Sequence, residues 1–398
     1  MAAGPLFLRV SIDLGMMAAM NLPTARNGPA ESSYRKLHFR VPGNLIVLLG
    51  LMGVTNAAAA YPLQAPQTSQ RRLPNGFVSK TLKIKDQRDR KYAVFVPPQY
   101  GASQTHRWPL ILFLHGSGEC GMDGIKHTTQ GLPVYISKRA TRFPFLVVMP
   151  QAQQNAFRGP EAAAVWAILD EVDRSYRVDH DRIFLTGLSM GGIATWELAV
   201  LRPDVFAAIV PVCGFAPNEY LSNIKDLPVW AFHGALDQNV SVSGSRDAIG
   251  ALRKLGATPK YTEYPDLAHV CWDRAYAEPE LYKWLLKQRR GPPPKVIDYL
   301  FPGGMSRVWW LAAEAEPGGK RPARIHAEIR EGGHVVLTSE NVAGWGLVSN
   351  GPPLPPESDI RVEWNGNEVY QGKFEGLLKM EPTKPTTQPS AKPAQAAP

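Results

Sequence analysis

Ser189 lies in Gly187-Leu188-Ser189-Met190-Gly191, a G-x-S-x-G pattern. It follows the apolar run Ile183–Leu185 and precedes a helix-like spacing of Ile193, Trp196, Leu198, Ala199 and Leu201 that stops at Pro203. A strand, a tight turn and a helix in that order lift a hydroxyl above a sheet edge and aim the helix's unspent N–H groups at it. A serine becomes a useful nucleophile only when a base takes its proton and an acid fixes the tautomer of that base. Candidates for both follow in chain order. Asp237 ends His233-Gly234-Ala235-Leu236-Asp237 after the run Val229–Phe232, and His269 ends Asp266-Leu267-Ala268-His269 after Lys260–Tyr264. Each then occupies a loop at the carboxyl end of a predicted strand, where reactive groups gather in open α/β sheets. The other acids fit less well, since Asp226 precedes its strand and Asp247 falls inside a helix. His233 is read as a support for the acid loop, and His180 as part of a turn on the opposite edge.

A serine of this kind also needs donors for the oxyanion that forms during acyl transfer. Leu110–Leu114 predicts a central strand that delivers the chain into His115-Gly116-Ser117-Gly118-Glu119, so the backbone N–H groups of Ser117 and Met190 are the expected oxyanion hole. His115 is read as holding that loop. Gln151, after the strand Phe145–Met149, and Trp272, three residues past His269, are expected at the same rim as substrate contacts.

The supporting elements come next. Phe77–Val96 reads as a hairpin around a charged turn at 86–90. Ala162–Tyr176 reads as an amphipathic helix with Val165, Trp166, Leu169 and Val172 inward. Further strands at Ala207–Val212 and Val229–Phe232 alternate with helices at about 243–255 and 276–289. Such alternation predicts a mostly parallel sheet covered by helices on both faces. After Gly291-Pro292-Pro293-Pro294 the pattern turns to strands at 308–313, 324–329, 334–339, 346–349, 360–364 and 368–371, the last two joined by Asn365-Gly366-Asn367. This predicts a small antiparallel β-sandwich over 291–380. Trp309, Trp310, Trp345 and Trp364 could form an aromatic platform there or a core.

The chain has 398 residues, 44% hydrophobic and 20% charged, with a net charge of +9. No cluster of Lys and Arg interleaved with aromatics is present, so nucleic acid is not an expected partner. Three cysteines, Cys120, Cys213 and Cys271, have no metal-ligand spacing, and no metal or cofactor is expected. Cys213 and Cys271 both fall near strand ends on the serine side and form the candidate pair for a disulfide. At the N-terminus, Arg35, Lys36 and Arg40 precede the apolar core Leu45–Val54 and the small residues Ala57–Ala60, the pattern of an export signal with a long lead. That core is shorter than the roughly 20 apolar residues that span a bilayer, so stable membrane insertion is not expected. The predicted organisation is a signal over 1–60, a linker over 61–76, the α/β domain over 77–290, the β-domain, and a disordered Pro-rich tail over 381–398.

The segments LFLHGSGECG, VDHDRIFLTGLSMGGIATWELA, LPVWAFHGALDQNV, YTEYPDLAHVCWDRAY and LYKWLLKQ together resemble the α/β-hydrolase superfamily over residues 77–290. Within it the chain is similar to exported esterases labelled predicted peptidases or prolyl-oligopeptidase-like, related to phospholipase/carboxylesterase and feruloyl-esterase-like enzymes. Similar members commonly carry arginine at the position of Cys120 and proline at that of His180; neither difference touches Ser189, Asp237 or His269. The resemblance implies a serine hydrolase without a cofactor, acting on a small-molecule or polysaccharide-linked ester. True prolyl oligopeptidases carry a large propeller for which the residues before Phe77 are too few, so esterase is preferred. Two alternatives stay open: a peptidase acting on small peptides, and an inactive hydrolase scaffold that binds carbohydrate or a surface through the β-domain.

Overall fold

The computed structural model describes residues 76–84, 88–349 and 351–380. The expected signal, the expected linker up to residue 75, residues 86 and 87 of the charged turn, and the expected Pro-rich tail lie outside them. The described residues fall within one compact unit of the chain.

Eight strands form the first sheet: β1 (Phe77–Leu82), β2 (Arg90–Phe95), β3 (Trp108–Leu114), β4 (Leu146–Pro150), β5 (Val178–Leu188), β6 (Ala208–Val212), β7 (Trp230–Gly234) and β8 (Lys260–Tyr264). Their spatial order is β1-β2-β4-β3-β5-β6-β7-β8. Every pair from β4 to β8 is parallel, and β2 pairs antiparallel with both β1 and β4. In β3, β4 and β6 every residue is buried, because a parallel sheet packed on both faces leaves no polar side. Six helices accompany it: α1 (Leu132–Ser137), α2 (Pro160–Ser175), α3 (Met190–Leu201), α4 (Val242–Lys254), α5 (Trp272–Tyr276) and α6 (Leu281–Lys287). Two apolar clusters fill the layers. One contains Leu112, Leu185 and Trp196; the other contains Phe113, Phe184 and Phe232.

Two elements depart from the pattern reading. His180, expected in a turn, belongs to β5, which starts at Val178 through the pair Trp108↔Val178, with a register shift before Leu110↔Ile183. The expected single helix at 276–289 is instead α5 and α6, separated at Glu278-Pro279; proline lacks the N–H that a continuous helix needs and disfavours helix in the residue before it.

Beyond residue 295 come β9 (Val296–Phe301), β10 (Met305–Val308), β11 (Leu311–Ala315), β12 (Ala323–Ile329), β13 (His334–Glu340), β14 (Val342–Val348), β15 (Ser358–Trp364), β16 (Asn367–Phe374) and β17 (Leu377–Met380). They form sheets ordered β10-β11-β14-β17 and β16-β15-β13-β12-β9, antiparallel except for β13 with β15. The expected strand at 308–313 is a hairpin whose turn is Trp309-Trp310, with Trp309 in the left-handed region at φ 54°. Side-chain pattern alone does not reveal that bend, since both turn residues are large and apolar. Trp310 and Trp345 are buried in the sandwich core. Trp364 packs edge-on against Trp345 and donates its indole N–H to Ser339 Oγ. The four tryptophans therefore do not make a common exposed platform.

The sandwich is fixed to the far end of α3. Tyr299 donates its hydroxyl to Leu201 O (2.7 Å), and the Asn223 side chain joins Val200 O to the backbone of Leu300. A cleft of about 920 Å³ runs along this junction, with Asn223, Arg290 and Trp309 among its walls.

Candidate active site

Ser189 follows the last residue of β5 and precedes α3, with φ 54° and ψ −117°. That conformation is costly for a residue with a side chain and persists only where its surroundings dictate it. Here the surroundings do so on both sides: Ser189 N–H donates to Val212 O at the end of β6 (3.0 Å), and Ser189 O accepts from Ile193 N in α3 (3.0 Å). A Cβ on Gly187 would come within 2.3 Å of Gly191 O, and one on Gly191 within 2.0 Å of Leu114 O. The turn can be this tight only with glycine at both positions.

Ser189 Oγ lies 2.8 Å from His269 Nε2, and His269 Nδ1 lies 2.7 Å from Asp237 Oδ2. The Asp237 carboxylate can only accept, so the Nδ1 proton is donated to it. Nε2 then carries the lone pair that faces the serine hydroxyl. Asp237 Oδ1 accepts from Asn239 N and Val240 N, both at 2.9 Å, and Oδ2 also accepts from His233 Nε2 at 3.1 Å. Burial alone would raise the pKa of this carboxyl, yet the bonds from His269, Val240 and Asn239 together hold it below the usual carboxylate range. His233 is buried and pushed below its ordinary pKa by desolvation, and its Nδ1 faces Ser245 Oγ at 2.8 Å. The sequence expectation that it supports the acid loop matches this position. Gly234, at the end of β7, is in close contact with the histidine loop: a Cβ there would come within 2.2 Å of Ala268 O.

A profile of the phospholipase/carboxylesterase family matches residues 143–278, the stretch that holds Ser189, Asp237 and His269. A thermostable esterase of known structure is 30% identical and superposes with a TM-score of 0.51, over 55% of this chain and 64% of its own. The chain has the α/β-hydrolase fold. A carboxylesterase of Arabidopsis thaliana is 23% identical over 210 residues, 46% of this chain and 91% of that protein. A probable feruloyl esterase C of Aspergillus flavus is 28% identical over 159 residues, 39% of this chain and 58% of that protein.

The hydrolase sheet also sets the positions of the other expected residues. Ser117 opens a short 3-10 turn (Ser117–Glu119) just after β3, and Met190 is the first residue of α3, where helices leave N–H groups without intrahelical partners. A Cβ on Gly116 would lie 3.7 Å from Ser189 Cβ, so the turn that carries Ser117 passes beside the serine. Gln151 differs from expectation. It is 2% exposed, its Oε1 accepts from Gly124 N (2.7 Å), and its Nε2 donates to Asp123 Oδ1 (2.9 Å) and Glu119 O (3.2 Å). Its amide ties down the 119–124 loop and is not free for a substrate. Trp272 also differs: it is buried, with its ring packed edge-on against the His269 imidazole at 5.5 Å.

One grouping among the described residues has metal-type ligand atoms within 4.8 Å of one another: Cys213, Asp237 and His269. Two of these are already bonded to each other. His115, read as a loop support, does hold the loop: its Nε2 accepts from Ala152 N (2.9 Å) and its Nδ1 donates to Gly116 O (2.6 Å). His127, which has no pattern to mark it in the sequence, is fully buried nearby, its ring 6.3 Å from that of His115. Burial lowers the pKa of His115 to about 4 and that of His127 to about 3. Both histidines are neutral when folded and take up protons on unfolding below their free value, so stability falls as pH drops through that window. We expect the folding free energy to fall by roughly 3 kcal/mol per pH unit between about pH 6 and 4 from this pair. Denaturant titrations of wild type and His127→Leu across that range test it; an unchanged pH slope in the variant contradicts the assignment.

Proposed function

We propose that this protein is a serine esterase that cleaves carboxylic esters through an acyl-enzyme. The observation that carries this reading is the continuous hydrogen-bonded line from Ser189 Oγ through His269 to Asp237. In the proposed cycle Ser189 Oγ attacks the ester carbonyl as His269 Nε2 takes its proton, and the N–H groups of Ser117 and Met190 receive the oxyanion. The tetrahedral species collapses as the protonated His269 gives its proton to the leaving alkoxide, which departs as the alcohol. Water, deprotonated by the same nitrogen, then attacks the acyl-serine and releases the acid. Asp237 holds the tautomer and balances the imidazolium charge throughout.

The carboxylesterase and feruloyl esterase relatives support ester over peptide substrates, feruloyl esters among them, and the family resemblance of the sequence adds acetyl esters and attachment to polysaccharide to the proposed range. The basic, apolar and small-residue succession at 35–60 supports export, with the reaction outside the cytoplasm. Mixing the protein with p-nitrophenyl acetate should release p-nitrophenol in a burst of one equivalent per chain, followed by slower turnover. A panel of feruloyl, acetyl and aliphatic esters beside an aminoacyl anilide then ranks substrates. A faster anilide than any ester would replace the esterase reading with the peptidase one.

A further inference from the structure

Cys213 and Cys271 come together without being part of the proposed reaction. Both are fully buried, and their sulfurs are 2.8 Å apart. Unbonded sulfurs rest well beyond that separation, whereas a disulfide bond spans about 2.0 Å. Cys213 follows β6 directly, at φ 52°, with its N–H donated to Phe232 O and its Sγ 3.1 Å from His269 O. Cys271 opens α5, and its own N–H donates to that same His269 carbonyl at 2.9 Å. Val212, the residue before Cys213, provides the carbonyl that accepts the N–H of Ser189. The pair therefore bridges the strand end that fixes the serine and the loop that carries the imidazole.

We propose that Cys213 and Cys271 are a site of covalent modification that takes a small disulfide oxidant and closes into an intramolecular disulfide, clamping the His269 loop against the end of β6. In the closing step one cysteine thiolate attacks the oxidant's S–S bond, as in oxidised glutathione, and releases one glutathione thiol. The second cysteine then attacks the mixed disulfide and releases the other. Two protons and two electrons leave the cysteines, and one S–S bond breaks as another forms. Because both thiols are sealed from solvent in the folded chain, closure belongs to folding, when an oxidant can still reach them. The third cysteine, Cys120, is only half-buried and bonds elsewhere, to Gln154 O, so it does not compete.

The test uses full-length Cys120→Ser protein refolded with oxidised glutathione or with a reducing phosphine. The oxidised sample should be 2 Da lighter by intact mass, with a 213–271 cross-linked peptide after digestion, and should melt higher by on the order of 10 °C. Two free thiols after oxidative refolding would overturn the proposal. A cross-link that forms without raising the melting point would overturn the clamp. Neither readout uses turnover, so both are independent of the esterase reading. A further arm rests on that reading: reduction should lower kcat for an ester several-fold with KM nearly constant, and Cys271→Ala should match the reduced protein in both conditions. Equal kcat in both forms would remove His269 positioning from the proposal.

Discussion

Ser189→Ala should lower kcat/KM for p-nitrophenyl acetate by at least about 10⁴-fold, with the melting temperature within a few degrees of wild type. The size follows from what the hydroxyl does and what alanine keeps. Alanine retains the Cβ and so the same left-handed backbone, and the bonds from Ser189 N to Val212 O and from Ile193 N to Ser189 O are main-chain bonds that survive. Only the nucleophile is lost, together with its 2.8 Å bond to His269 Nε2. What remains is the donor environment and substrate binding, which alone give a small part of the acceleration. Kinetics with freshly purified variant, beside a thermal melt, decide the matter. Activity within tenfold of wild type would remove the serine from the mechanism.

Asp237→Asn should lower kcat by about 10⁴-fold and leave KM close to wild type. Asp237 accepts four N–H groups, from His269, His233, Asn239 and Val240. An asparagine presents one NH₂ in place of an oxygen, so it must face either two main-chain donors or two imidazoles with donors of its own. The arrangement that keeps the main-chain bonds turns NH₂ toward His269 Nδ1. The imidazole then moves its proton to Nε2, which can no longer receive the serine proton. The carboxyl of Asp237 is held below the usual range, so in wild type it remains ionised as pH falls into the ordinary carboxylate region. The acid limb of the pH profile should therefore not contain an Asp237 step. A kcat loss below tenfold in the variant would show that this carboxylate does not set the tautomer.

The candidate site was legible in the sequence because Ser189, Asp237 and His269 each follow a strand of one sheet. Strands betray themselves by apolar runs, and the order along the chain suggested which residues meet. The turn Ser117–Glu119 was legible for the same reason, from its place after β3. Side-chain commitments were not legible. Nothing in the position of Gln151 after β4 reveals that its amide is already used by Gly124, Asp123 and Glu119, and nothing near Trp272 reveals that its ring packs edge-on against the imidazole. His127 is buried in a loop without periodicity, so no pattern marks it. In the β-domain, the Asn365-Gly366 turn was readable because its residues suit positive φ (49° and 82°). The Trp309-Trp310 turn was hidden because its residues look like strand. The strand β9 alternates buried and exposed side chains but directly follows a proline run that reads as linker.

The twelve residues of α3 run from Ser189 to the Val200 and Leu201 carbonyls held by Asn223 and Tyr299, a distance of roughly 18 Å. Ser189 and the sandwich's anchoring contacts thus lie at opposite ends of one rigid rod. A bead or electrode attached at those contacts would therefore sit a full helix length away from the serine.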